Sequence, residues 1–417
     1  MRQKPINKTH PSWLRAILIL TIWLGVSGCI TLSSQSLDIK DLEHNSQASD
    51  ATLQEQVDSL AKPLIGDVTP GLMVAVYSPQ TGNRFFGYGR YDQAIDKTPD
   101  EQTAFAIGSL TKLFTGALVS HYVQLGELDW SDTLGELLPA ANGLSTDAKA
   151  ISLEQLVTHT SGLPRQPMTV QTFSYFLRYL FTGQSFYDHF DFDYMMRFLQ
   201  DFEKPTFPGY VYSNFGYALL GHILELHTGR SIEGLMDEHI WGPLALQETT
   251  LSKDTLPRHL ATAKGYAGDQ PGFIRRGKPT PDWQFNPVMR ATGAMYSTAG
   301  DLLQFARAHF QPGNTPIGPA LADSLIVRFE DGKLAIAVDW EAQQINSQRI
   351  HFAVGFVAGY SSYIGLDAAN QLAVVVLQNS FNWDDEIGHR LLLRLGANTQ
   401  ARPAQPPLIT AQQQERR

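Results

Sequence analysis

The chain has 417 residues, 43% of them hydrophobic and 18% charged, so it can bury a large core in one big domain or two ordinary ones. Its net charge of -9 argues against a nucleic-acid partner, because phosphate binding needs a positive face. A single cysteine excludes an internal disulfide framework and a cysteine-rich metal site. Without a His-Glu-x-x-His motif or a glycine-rich phosphate loop, we expect no metal and no other cofactor.

The N-terminal segment has the organisation of an export signal. Residues 1–15 carry four basic and no acidic side chains, and an apolar run follows from Ala16 to Val26. This run is too short to span a membrane, which takes about 20 residues, but it fits the apolar part of a secretory signal. We therefore expect residues 1–28 to be a signal peptide.

Cys29 directly follows the small residues that end this run, and the arrangement resembles the lipobox of bacterial lipoproteins. The alternative is a small buried free cysteine. The lipobox predicts lipidation at Cys29 and an exported chain held on the periplasmic or cell-surface side of a bacterial membrane. The polar residues 29–52 are then a flexible tether.

Strand and helix patterns follow one another in a definite order along the rest of the chain. An apolar run over 71–77, turn residues and a second run over 84–91 predict a hairpin. A helical pattern over 110–125 ends at Gly126, and helical and loop signals dominate from about 130 to 310.

Strand character returns near the C-terminal end, before a last helix over 384–395 and a segment, 398–417, that is expected to be disordered. Strands at both ends with helices between them predict an α+β fold, an antiparallel sheet flanked by helices with a helical insertion, in a domain over 53–397. The late strands are predicted over 334–340, 349–356, 360–366 and 371–377.

Ser109 and Lys112 form a Ser-x-x-Lys motif where the helix over 110–125 begins. Residues three apart lie on one helix face, so Lys112 can reach the serine hydroxyl. A lysine takes a proton from serine only if desolvation or nearby cations favour its neutral form. The motif also occurs at Ser59–Lys62, so alone it is weak evidence, and the alternative for Ser109 is a helix N-cap.

Tyr212 and Asn214 are the second group of candidate residues. In extended backbone, residues two apart point to the same face, so both side chains can enter one cleft. A phenol can relay a proton to a leaving group, and an amide can bind Lys112 and a substrate carbonyl. The alternative is a turn with a core tyrosine.

Four segments together resemble the class C β-lactamases and their penicillin-binding relatives, in the family's order and spacing. The resemblance implies a β-lactamase/transpeptidase-like fold and a serine hydrolase that acylates Ser109. It implies that Lys112 is the base or proton partner of Ser109, that Tyr212 is a second general base and acid, and that Asn214 orients substrate and lysine. The implied substrates are small-molecule or peptidoglycan-derived amides or esters. The segments are Ala106–Lys112, Ile151–Pro164, Pro208–Tyr217 and Ala291–Asp301.

His159 lies in the second of these segments and suggests a Ser-His triad. Lysine and tyrosine already fill the base role, however, so we expect a structural histidine in a tight turn.

The family's third motif, Lys-Thr-Gly or His-Thr-Gly on a strand of the cleft, is missing. The sequence of His227–Gly229 matches this motif, but the segment lies at the end of a helical run, where a glycine is expected as the C-terminal cap of the helix. Alignment on the following turn places Ala353–Gly355 at the motif, without the cation and hydroxyl that bind a carboxylate in the family. Arg349 and His351 are the candidates to restore the positive charge.

Gly355 still permits close backbone approach at this strand. The backbone N–H groups of Phe356 and Ser109 are the candidate oxyanion hole.

Residues 173–198 hold 11 aromatic side chains, which we expect to form a helical packing layer. A cleft wall and contact with a lipid surface are the alternatives.

Two functions compete with a β-lactamase or a D-alanyl-D-alanine peptidase. An esterase of the same fold is favoured by the missing cation. A non-catalytic receptor for cell-wall fragments with a relic site is disfavoured, because a relic has no chemical reason to keep Ser109, Lys112, Tyr212 and Asn214 together.

Overall fold

The computed structural model describes residues 51–66, 68–139, 141–167, 169–206, 209–332, 334–382 and 386–401. The predicted signal peptide, Cys29, most of the predicted tether and residues 402–417 lie outside these ranges, so the expectations for them stay predictions. No helix in the described part of the chain is long and apolar enough to cross a membrane.

Eight of the described strands form one antiparallel sheet, and the other two form a separate short pair. The strands are β1 (Gly71–Ser78), β2 (Gly82–Gly89), β3 (Phe105–Ala106), β4 (Tyr296–Ser297), β5 (Phe329–Asp331), β6 (Leu334–Ile336), β7 (Glu341–Ile345), β8 (Gln348–Val357), β9 (Tyr360–Asp367) and β10 (Leu372–Gln378). The sheet order is β2-β1-β10-β9-β8-β7-β6-β5, and β3 pairs with β4. Strands from the two ends of the chain therefore meet in one sheet, where β1 pairs with β10.

The described helices lie mainly between these two groups of strands. They are α1 (Leu53–Ala61), α2 (Thr111–Gln124), α3 (Leu134–Leu137), α4 (Thr146–Lys149), α5 (Leu153–Val157), α6 (Val170–Thr182), α7 (Phe192–Gln200), α8 (Asn214–Thr228), α9 (Ile232–Met236), α10 (Arg290–Gly293), α11 (Ala299–Ala308), α12 (Gly318–Ser324) and α13 (Glu386–Ala401). α11 packs on β1 and β10, and α13 packs on β9 and β10. Every residue of β10 is buried, as expected for an apolar strand covered on both faces.

α2 is a core helix, because every residue from Thr111 to Tyr122 is buried. It packs against α8, α10 and α12. Its buried hydroxyls find backbone acceptors, since Thr111 Oγ1 donates to the Gly108 carbonyl and Thr115 Oγ1 to the Ala291 carbonyl. The first turn of α2, which carries Lys112, is therefore held from several sides.

The predicted α+β fold is confirmed, and so are the hairpin β1–β2, helix α2 and the strands β8, β9 and β10. Gly229 ends α8 with φ 69°, as expected of a cap, so His227–Gly229 does not lie on a strand of the sheet.

Two predicted boundaries are wrong. The strand predicted over 334–340 ends at Ile336, because the chain turns through Asp339, at φ 60°, before the polar strand β7 begins. The last helix, α13, runs to Ala401 and so enters the segment that was expected to be disordered.

Candidate active site

Ser109 lies in a 3₁₀ turn, Gly108–Leu110, that leads directly into α2, and its side chain is partly exposed. This turn presses against β8. A Cβ atom at Gly108, whose φ is +53°, would lie 2.9 Å from the backbone of Phe356. Only glycine permits this contact, which places the backbone of Phe356 beside Ser109.

Gly355 makes the matching close approach from the strand side. A Cβ atom there would lie 2.1 Å from the Ile107 carbonyl oxygen and 2.4 Å from Ser362 Oγ. Gly355 therefore packs closely on the backbone of Ile107, whereas the roles of Gly355 and of the Phe356 and Ser109 N–H groups at an oxyanion hole stay predictions.

Lys112 is fully buried directly below Ser109. Its Nζ lies 3.1 Å from Ser109 Oγ and donates a hydrogen bond of 2.7 Å to the Thr292 carbonyl, at the end of α10. Neither contact is with a carboxylate. Burial lowers the pKa of Lys112 to about 7, while Asp339 raises it and the Arg165 cation lowers it further. A large fraction of this amine is therefore neutral at neutral pH, which meets the condition for a base.

The ring of Tyr212 lies near the side-chain nitrogens of both Lys112 and Arg165. Its ring centroid is 5.0 Å from Lys112 Nζ and 4.9 Å from Arg165 Cζ. Burial and then Asp339 raise the pKa of the Tyr212 hydroxyl above its usual range, although Arg165 and a hydrogen bond with Ser109 oppose this. The phenol is therefore neutral at physiological pH and has a proton to donate.

His159 positions Tyr212 and does not contact Ser109. Its Nδ1 accepts the Ser213 N–H at 3.1 Å, so the proton is on Nε2, which donates to Asp339 Oδ1 at 2.9 Å. The ring lies 4.5 Å from the Tyr212 ring. Its φ of 59° places it in a tight turn, so the expectation of a structural histidine is confirmed.

Asn214 differs from its predicted contacts. Its Nδ2 donates a 2.6 Å hydrogen bond to the hydroxyl of Tyr187, and it does not bond to Lys112, whose Nζ contacts Ser109 and Thr292 instead. The sequence offered a cleft wall as an alternative for the aromatic segment but did not predict the contact between Tyr187 and Asn214, because the segment reaches this site only through tertiary packing.

The aromatic segment 173–198 forms α6, a connecting loop and the first part of α7. Tyr179, Phe186 and Tyr187 are buried and pack edge-on against Trp283. The expected packing layer is confirmed, and Tyr187 in addition forms a wall of the site.

On β8, His351 does not restore the positive charge of the missing third motif, whereas the prediction for Arg349 stays a prediction. His351 Nε2 donates to the Leu325 carbonyl at 3.0 Å, and burial lowers its pKa to about 4, so this histidine is neutral. Arg349 is exposed, and in the register of the sheet it lies opposite Gln344 of β7. The expectation that His351 supplies a cation is therefore wrong, because packing against the end of α12 removes it from water.

The described residues contain no group of three or more His, Cys, Asp or Glu side chains that could hold a metal ion.

Comparisons with known proteins agree with this arrangement. The family model described as Beta-lactamase matches residues 53–398. A β-lactamase of Pseudomonas fluorescens is 30% identical over 69% of this chain and 74% of its own length. An unguisins hydrolase of Aspergillus violaceofuscus is 27% identical over 58% of this chain, which spans only 42% of that relative. The crystal structure of a class C β-lactamase from Rhodobacter sphaeroides has the same fold, with a TM-score of 0.68 and 21% identity over 84% of this chain and 99% of that one.

Arg165 and Asp339 act on the pKa of Lys112 in opposite directions, so removing each should shift it oppositely. Arg165→Gln removes a cation that lowers this pKa, and Asp339→Asn removes an anion that raises it. Modification of Ser109 by a fluorophosphonate requires neutral Lys112, so its rate profile should move to higher pH in Arg165→Gln and to lower pH in Asp339→Asn. Asparagine tolerates the left-handed conformation of residue 339. Shifts in the same direction, or none, would contradict this electrostatic assignment.

Proposed function

Because this chain belongs to the β-lactamase family of serine hydrolases, we propose that it cleaves an amide or ester through an acyl-enzyme on Ser109. The observation that carries the proposal is the buried Lys112 amine, 3.1 Å from Ser109 Oγ and with a pKa of about 7. Such an amine is present in its neutral form at physiological pH and has the serine hydroxyl as its nearest proton source.

In the proposed acylation, Lys112 takes the hydroxyl proton while Ser109 Oγ forms a bond to the substrate carbonyl carbon. The carbonyl oxygen then carries negative charge, which the N–H groups of Ser109 and Phe356 stabilise. The bond to the leaving nitrogen or oxygen breaks as that atom gains a proton. The proton comes from the Lys112 ammonium, and the neutral phenol of Tyr212 is placed to relay it. Water then hydrolyses the acyl-enzyme, with Lys112 again as the base.

The proposed substrates are small-molecule or peptidoglycan-derived amides, in keeping with the similarity to β-lactamases. Asn214 and Tyr187, joined by their hydrogen bond, form the polar wall against which the substrate carbonyl group would lie.

An esterase of the same fold is the second candidate function. Its support is the absence of a cation at the third-motif positions Ala353–Gly355, where Ala353 is buried, and the neutrality of His351 on the same strand. A neutral ester needs no partner for a carboxylate, whereas a penicillin or a D-alanyl peptide carries one.

Two chromogenic substrates, a cephalosporin and a p-nitrophenyl ester, test the proposal. We expect Ser109→Ala to lower turnover at least about a thousandfold and Tyr212→Phe to lower it about a hundredfold. Ser59→Ala is the matched control, because Ser59 belongs to the other Ser-x-x-Lys motif, is exposed and bonds only the Gln56 carbonyl. Turnover of both substrates supports an amide hydrolase, and turnover of the ester alone supports the esterase. No turnover and no covalent adduct with either substrate would contradict the proposal and leave the receptor function.

We also propose that the chain is exported and lipidated at Cys29. The support is the succession of a basic segment, an apolar run and small residues directly before this cysteine. In a bacterial host, labelled palmitate should be incorporated into the chain and lost in Cys29→Ser. Label that persists in Cys29→Ser, or its absence from the unaltered chain, would contradict lipidation at this residue.

A further inference from the structure

Two phenylalanine rings stack on one another at the surface instead of inside the core. Phe181, in the last turn of α6, is 62% exposed, and Phe273, in a distant loop, is 66% exposed. Their centroids lie 4.6 Å apart and their planes differ by 7°. Leu177, one turn earlier in α6, is 40% exposed. A cluster of large apolar side chains in contact with water is unfavourable unless something else covers it.

The surrounding structure holds this apolar cluster in place. The Phe273 N–H donates to the Leu180 carbonyl at 3.1 Å, which ties the loop to α6. Trp283 Nε1 donates to the Gly183 carbonyl at 3.0 Å, directly after the helix. The rings are therefore presented by a braced loop and a helix end, and their exposure is built into the fold.

Positive charges lie in the same loop as Phe273. The loop segment 271–278 contains three basic residues and no acid, although the whole chain has a net charge of -9. Arg276 pairs with Asp269, whereas Arg275 and Lys278 are exposed and have no ion-pair partner among the described residues. Apolar rings with a basic border match the interface of an anionic bilayer, where rings enter the acyl region and cations meet phosphates.

We propose that this surface, formed by Leu177, Phe181, Phe273, Arg275 and Lys278 and here called the lipid-facing tip, inserts into a membrane that contains anionic phospholipid. The unpaired cations distinguish this occupant from a purely apolar partner, since they would repel a second copy of the same tip.

The lipid-facing tip is also connected to the candidate active site. Trp283, which braces the tip, packs against Tyr187 with ring centroids 5.7 Å apart. Tyr187 in turn accepts the hydrogen bond of Asn214. Insertion of the tip would therefore hold the aromatic wall of the site close to the bilayer surface, where a membrane-associated substrate is concentrated.

An environment-sensitive fluorophore beside the tip tests this proposal in the full chain. In a Cys29→Ser background, Gly272→Cys provides a single labelling site and leaves both phenylalanine rings of the tip in place. Apart from residue 272 and its chain neighbours, no atom lies within 4 Å of a Cβ at this position. We expect the emission of a nitrobenzoxadiazole label there to rise severalfold on vesicles of phosphatidylcholine and phosphatidylglycerol. The label reports only its own surroundings, so attachment of the chain through residues 1–28 would not produce this signal.

The control label is placed at Leu125→Cys, which is 55% exposed just beyond the far end of α2 from Ser109. We expect no rise there, a loss of the rise at residue 272 in Phe181→Ser/Phe273→Ser, and at least about tenfold weaker binding in Arg275→Glu/Lys278→Glu. Unchanged fluorophosphonate labelling of Ser109 would verify that these variants fold.

An equal rise in emission at both label positions, a rise that survives loss of both rings, or an equal response to pure phosphatidylcholine would overturn the proposal. Self-association without vesicles would also overturn it and indicate a second copy as the occupant.

Discussion

The burial of one amine without a carboxylate partner is the constraint on which the rest of the site depends. Taking a lysine ammonium out of water is unfavourable, and a protein meets that constraint by neutralising the group or by pairing it. Here the hydrogen-bond partners of Lys112 Nζ among the described residues are the Ser109 hydroxyl and the Thr292 carbonyl, and burial lowers the pKa of Lys112 to about 7. The buried helix α2 and the close contacts at Gly108 and Gly355 keep this amine in a dry environment.

The charges around the amine tune its pKa without touching it. Asp339 raises the pKa of Lys112 and is itself bonded to His159, while Arg165, whose guanidinium lies 4.9 Å from the centroid of the Tyr212 ring, lowers it. His159 and Asp339 both have positive φ, an unfavourable conformation that persists only where the surroundings over-determine it. The site thus brings together the groups that the proposed acyl transfer needs, although the third-motif positions Ala353–Gly355 carry no cation to receive a substrate carboxylate and His351 is neutral.

The sequence predicted the parts of the site that depend on local spacing. Ser109 and Lys112 are one helical turn apart, and Gly355 marks a close backbone approach, so each could be predicted from its neighbours. Tyr187 could not, because it meets Asn214 only through the packing of a distant aromatic segment. The neutrality of His351 depends on the Leu325 carbonyl, and the polar strand β7 follows a turn at Asp339 that has no glycine. Such features arise from tertiary contacts, which periodicity and composition do not report.

The most direct test of the central claim is the pKa of Lys112 itself. Lysine labelled with carbon-13 at Cε gives a resonance for this residue, identified by its absence from Lys112→Met, and its chemical shift follows the protonation of Nζ. We expect a titration midpoint near 7, because the amine is buried beside a hydroxyl and a carbonyl. A midpoint near 10.5, the usual value for lysine, would mean that the amine is charged at physiological pH and cannot deprotonate Ser109.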